Sequence, residues 1–151
     1  MWRVPDINDL LNSISQREID AFNNAAASSS DANTSDPTVR QIRSAVAFVR
    51  GYIASSPKGV LLDKDQTTLP DGLIPPAMDY CAYQILKRLP GDISQSRTDA
   101  RKEAIDLFKL IPLGDYIPES HSSTAASGSK SAVTVALSSR LRAKADALDR
   151  T

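Results

Sequence analysis

Three stretches of the chain carry apolar residues at helical spacing between proline and glycine stops, and this punctuation constrains the fold more than any other feature. In "DPTVRQIRSAVAFVRGYI", Asp36–Ile53, an aspartate caps and Pro37 opens the segment, because proline tolerates a first helical turn where its missing N–H would be unpaired. Val39, Ile42, Val46, Val49 and Ile53 then step by three and four residues to about Ser55, a one-sided stripe meant for a partner helix. "GLIPPAMDYCAYQILKRL", Gly72–Leu89, is opened by Pro75-Pro76 and stopped by Pro90-Gly91. Met78, Cys81 or Ala82, Ile85 and Leu89 make its buried face, and Lys87 and Arg88 fall in its last turn, where positive charge suits the helix dipole. In "RTDARKEAIDLFKLI", Arg97–Ile111, the expected cap is Ser96 or Thr98, the apolar side is Ala104, Ile105, Phe108 and Ile111, and Pro112 and Gly114 end the helix.

Two shorter helices precede these. Ile7, Leu10, Leu11 and Ile14 recur at helical spacing, and Ser15–Glu18 has the S-x-x-E form in which hydroxyl and carboxylate satisfy each other's backbone N–H groups. That predicts one short helix and a second from about Gln16 to Ala26. The following "AAASSSDANTSD" has no large apolar residue with which to pack and reads as a loop. Between Pro57 and Gly72, Val60–Leu62 and Thr67–Leu69 are β-prone and are expected to pair as a small hairpin. "DKD" there has the look of a calcium loop, yet such a loop needs glycine where Thr68 stands and a carboxylate where Ile74 stands. The fold expected is all-α: a small bundle of about five helices with a short β-hairpin loop and an extended C-terminal tail.

At 151 residues the chain suits one domain. We place it at residues 1–117, with 118–151 a Ser/Ala-rich linker and tail. Val133, Val135 and Leu137 alternate with small or polar residues as a strand does, and Ser138 or Ser139 caps a last helical piece with Leu141, Ala145 and Leu148. A strand with no partner in its own chain points to addition at another molecule's sheet edge; a loose terminus is the alternative.

The chain carries 18 basic and 18 acidic residues, so no net field draws the whole molecule onto nucleic acid or an anionic membrane. One cysteine, Cys81, excludes an internal disulfide and a Cys-based zinc site, and its place on an apolar helix face marks a core thiol rather than a nucleophile. The one histidine, His121, falls in the Ser-rich linker, without a rigid frame for a Ser-His-acid relay. No stretch approaches the roughly 20 apolar residues of a membrane span, and no cleavable leader is apparent, so a soluble protein made in a cytoplasm is expected. The six glycines are scattered singly and form no phosphate loop. No enzyme, cofactor or metal is expected. Arg40, Arg43 and Arg50 share one flank of their helix, suited to solvent, to a neighbouring subunit or to phosphates.

The order of these elements resembles a known family. A short N-terminal helical region, the long helix of Asp36–Ile53, a loop, the Ile-Pro-Pro start at Ile74–Pro76 and a third helix ending near a proline are similar to the small α-helical head-tail adaptor (head completion, or connector) proteins of tailed bacteriophages. The resemblance spans about Ile7 to Ile117 and lies in helix order and residue class. It implies a structural virion protein that forms a ring under the portal, usually a dodecamer matching it, and extends the DNA channel toward a tail-side neck or tail terminator protein, with transient passage of DNA. Assembly would begin in the host cytoplasm and end at the head-tail neck. In several adaptors a C-terminal extension embraces the portal, which would give Val133, Val135, Leu137, Leu141 and Leu148 that role by position; the length of this tail and the Ser/Ala insertion at Ala25–Ser35 depart from the family pattern. Neighbouring copies would join by Arg40, Arg43 and Arg50 on one side and Asp99, Glu103 and Asp106 on the other. The rival reading is a phage-encoded DNA-binding regulator of helix-turn-helix type. Against it, Met78–Leu89 is mostly apolar, where a recognition helix needs polar and basic side chains.

Overall fold

Helix-forming stripes separated by proline and glycine stops yield five helices among the residues the computed structural model describes, 1–28 and 36–121. They are α1 (Ile7–Leu11), α2 (Gln16–Ser28), α3 (Pro37–Ala54), α4 (Ile74–Leu86) and α5 (Gln95–Leu113). The architecture is an all-α bundle with a two-stranded antiparallel ribbon, β1 (Trp2–Arg3) and β2 (Leu69–Pro70). The tail residues Val133, Val135, Leu137, Leu141 and Leu148 lie outside the described residues.

Helices α1, α2 and α3 begin where a side chain offers their orphan N–H groups a partner. At α1, the Asp6 carboxylate accepts from the Asp9 N–H at 3.0 Å and the Asp9 carboxylate from the Asp6 N–H at 2.9 Å. Ser15 and Glu18 form the expected reciprocal cap at α2, with Glu18 Oε2 accepting from the Ser15 N–H at 3.0 Å. Asp36 accepts from the Thr38 N–H at 2.8 Å beside Pro37, and the buried Thr38 hydroxyl donates to Asn23 Oδ1 at 2.7 Å, which ties α3 to α2. The stripe on α3 buries Ile42, Val46, Val49 and Ile53, while Val39 is only half-buried. Helix α4 is the most enclosed, with Ile74, Ala77, Met78, Cys81, Ala82 and Ile85 buried against α3, α5 and α1. Phe108 and Ile111 of α5 are fully buried in the same core. Deleting a ring such as that of Phe108 from a packed core costs about 3–5 kcal/mol.

The structure departs from the expected local pattern at several places. The hairpin between Val60–Leu62 and Thr67–Leu69 does not form; Leu69 pairs instead with Arg3, and Pro70 with Trp2. Aspartate side chains explain the difference, because they offer the loop backbone an alternative to a ladder. Asp65 accepts from the Thr67 N–H at 2.9 Å and hydroxyl at 2.6 Å, and Asp63 accepts from the Thr68 hydroxyl at 2.9 Å.

Helix α4 ends at Leu86, not Leu89: the N–H groups of Arg88 and Leu89 reach back three residues, to Ile85 and Leu86, in a tightened turn. Lys87 and Arg88 therefore sit just past the helix, and Leu89 is half-buried. Helix α5 starts earlier than expected, with Ser94 at the cap position, so Ser96 and Thr98 lie inside it and the Thr98 hydroxyl bonds back to the Ser94 carbonyl at 3.3 Å. Ile105 is half-buried rather than fully in the core. At the other end Pro112 is inside the last turn, and Gly114, at φ +80°, closes the helix in the left-handed conformation that glycine adopts at no steric cost.

One compact unit runs from Met1 to His121. Pro118 is buried, the Trp2 indole N–H donates to the Glu119 carbonyl at 2.8 Å, and the His121 N–H donates to the Leu61 carbonyl at 2.8 Å.

Candidate functional site

Neither nucleophile nor base candidate stands in a catalytic setting. Cys81 is fully buried on α4, and burial pushes its thiol up to about 12, so it holds no reactive thiolate near neutral pH. His121 is not loose, as the sequence suggested: its ring packs edge-on to Trp2 at 6.0 Å and its Nε2 lies 3.6 Å from Asp63 Oδ1. Burial raises the Asp63 carboxyl, but hydrogen bonds from the Thr68 hydroxyl and the Asp65 N–H bring it below its ordinary value overall. The His121–Asp63 contact fastens the end of the unit to the loop before β2. Among the described residues no group of three or more His, Cys, Asp or Glu side chains is placed to hold a metal ion, and no helix is long and apolar enough to cross a membrane.

The three arginines do not share one fate. Arg50 is half-buried and turned inward: Nη1 donates to the Thr68 carbonyl at 2.8 Å, Nη2 to the Asp63 carbonyl at 2.7 Å, and the guanidinium lies 5.5 Å from the centre of the Trp2 ring. Its donors are spent inside the chain, clamping the loop and β1 onto α3. Arg40 and Arg43 are exposed. Arg40 shares a cleft of about 370 Å³ with Phe22, Gln41, Ser44 and Arg88, and the Arg88 guanidinium stands 6.0 Å over the Phe22 ring. Arg43 borders an apolar groove of about 410 Å³ between the N-terminal segment and α3, walled by Val4, Pro5, Ile7, Val39 and Val46.

On α5 the acidic side chains Asp99, Glu103 and Asp106 are all exposed. Asp99 accepts from Gln95 Nε2 at 2.8 Å and Asp106 lies 3.6 Å from Lys109, contacts within one helix that leave both carboxylates open to solvent. The buried side of α5 carries Ala104, Phe108 and Ile111, so these acids point away from the bundle. Other ion pairs join neighbouring elements of the unit. Arg97 bonds both oxygens of Glu18, at 3.0 and 3.2 Å, joining α5 to α2, and Arg3 bonds both oxygens of Asp9, at 2.8 and 2.7 Å.

Sequence reasoning missed two features of this surface. Leu110 and Leu113 of α5 remain 38 % and 70 % exposed although their residue type suits a core. Phe48 of α3 is 37 % exposed and stacks on Tyr80, with ring centres 4.6 Å apart. The helical spacing of Leu110 and Leu113 against the buried Phe108 and Ile111 was the available signal. No protein-family model, curated protein or solved structure matches the chain.

Proposed function

We propose that this chain is a head-tail adaptor of a tailed bacteriophage, a structural protein that forms a ring under the portal and extends the DNA channel toward the tail. The observation that carries the reading is the order and length of its helices. Short α1 and α2 precede the long α3; a loop leads to α4, opened by Ile74-Pro75-Pro76, and α5 closes at Pro112-Gly114. Burial of Cys81 and the structural engagement of His121 support a non-catalytic role. Opposite charges on separate outer faces, Arg40 and Arg43 on α3 and Asp99, Glu103 and Asp106 on α5, support head-to-tail contact between copies, which closes into a ring when the rotation suits. The tail beyond His121 is assigned to the portal.

The regulator alternative fares less well. Helix α4 buries seven of its residues, leaving little of it to enter a major groove. Pull-down of the portal ring from the same phage genome by the full-length chain tests the adaptor reading. A gel shift with duplex DNA at low salt tests its rival: tight binding that falls steeply with added salt is the result the regulator requires, and the adaptor reading predicts none.

A further inference from the structure

We infer that the outer stripe of α5 in one copy docks in parallel on the outer stripe of α3 in a second copy; the inference deepens the ring reading and rests on it. On α5, Asp99, Glu103, Asp106, Leu110 and Leu113 are all exposed and separated by four, three, four and three residues. That alternation averages 3.5 residues and keeps the five side chains in one narrow stripe along the helix. The seam is acidic in its first half and apolar in its second, with Leu113 70 % exposed.

Helix α3 carries the counterpart at the same spacing: Arg40, Ser44, Ala47, Gly51 and Ala54, all exposed. Its first half is basic, with Arg43 beside Arg40. Its second half is small, a Cβ at Gly51 would meet nothing within 4 Å, and Phe48, Gly51, Tyr52 and Ser55 line a shallow hollow of about 300 Å³ there. The same number of residues separates Arg40 from Ala54 and Asp99 from Leu113, about 21 Å of helix at 1.5 Å per residue.

Laid parallel, the two seams set Arg40 and Arg43 against Asp99 and Glu103, and Leu110 and Leu113 against the hollow at Gly51. An antiparallel pairing would set leucines against arginines and carboxylates against Phe48. Charge order therefore selects both the partner and the direction. Neither seam is self-complementary, and both face away from the core of their own chain, since the buried sides are Ile42, Val46 and Val49 on α3 and Ala104, Phe108 and Ile111 on α5. The contact is thus heterologous, between unlike faces of two copies, and each copy keeps one free face to propagate it.

Disulfide trapping between full-length chains tests this, because Cys81 is buried and stays silent. An Ala54→Cys chain mixed with a Leu113→Cys chain under mild oxidation is expected to give a mixed dimer, and the antiparallel control, Arg40→Cys with Leu113→Cys, is not. Gly51→Cys with Leu110→Cys repeats the test one turn away should a variant fail to fold. Raising the salt is expected to suppress the mixed dimer, as is Glu103→Arg, and Arg40→Glu on the other chain is expected to restore it. Equal trapping in parallel and antiparallel pairs, or preferential trapping of Ala54→Cys with itself, would overturn the contact. Trapping without portal binding would sink the adaptor reading alone, and portal binding without trapping would sink the contact alone.

Discussion

Replacing Arg50 with methionine keeps most of the side chain's length and apolar stem but removes the guanidinium. Two charge-assisted hydrogen bonds are lost, 2.8 Å to the Thr68 carbonyl and 2.7 Å to the Asp63 carbonyl, together with the contact over Trp2. Hydrogen bonds to charged groups contribute about 1.5–3 kcal/mol each, and an exposed cation–π contact about 0.5–1. Thr68 is 6 % exposed, so little water can take over at its carbonyl, whereas Asp63 is more accessible and recovers part of its loss. The net cost expected is about 3 kcal/mol. For a unit of 121 residues, an unfolding entropy of about 2 cal/mol/K per residue converts this to a fall of about 12 °C in Tm. Thermal unfolding followed by circular dichroism measures it, with Arg40→Met and Arg43→Met as comparisons expected to change stability by less than about 0.5 kcal/mol. If Arg50→Met melts with those two, Arg50 is not a clamp and belongs with the outward-facing arginines.

Three further outcomes are expected. Cys81 should resist iodoacetamide in the native protein at pH 8 and react once denaturant exposes it; rapid native alkylation would show that α4 is less enclosed than described. Gly114→Ala should cost about 1–2 kcal/mol, because alanine is strained at φ +80° and its Cβ would lie 3.4 Å from Pro57 Cγ; urea unfolding with no change in midpoint would contradict that turn. The Asp9 carboxyl is held low chiefly by Arg3, and Glu18 is net lowered because hydrogen bonds from Ser15 and Arg97 outweigh its burial. Both therefore contribute stability that is present above the ordinary carboxylate range near pH 4 and is lost as pH falls through their lowered values. Glu18→Gln should flatten that acid limb by less than about 1 kcal/mol, since the pair is partly solvated, and an unchanged limb would mean the pair is idle.

The long helices were legible because their signals are local: an apolar stripe, a capping aspartate and a proline opener lie within a few residues of one another, as at Asp36, Pro37, Ile42 and Val46. What escaped the sequence depends on distant partners. Trp2–Arg3 has no period of its own and becomes a strand only because Leu69–Pro70 passes beside it. The position of His121 is set by Trp2, Leu61 and Asp63, so the serine-rich stretch after it misled. Arg40, Arg43 and Arg50 look alike on a helical projection, and only the arrival of the Asp63 and Thr68 carbonyls sets Arg50 apart. The seam on α5 was half-read: its acids were recognised, but Leu110 and Leu113 pass for core residues until the buried side is known to be Phe108 and Ile111.

The central claim is most directly tested by negative-stain imaging of the portal ring incubated with the full-length chain and, in parallel, with a chain ending at His121. The adaptor reading predicts an added ring of matching symmetry on the tail-side face of the portal with the full-length chain, and its loss or marked weakening with the shortened one. A portal left bare by the full-length chain would contradict it.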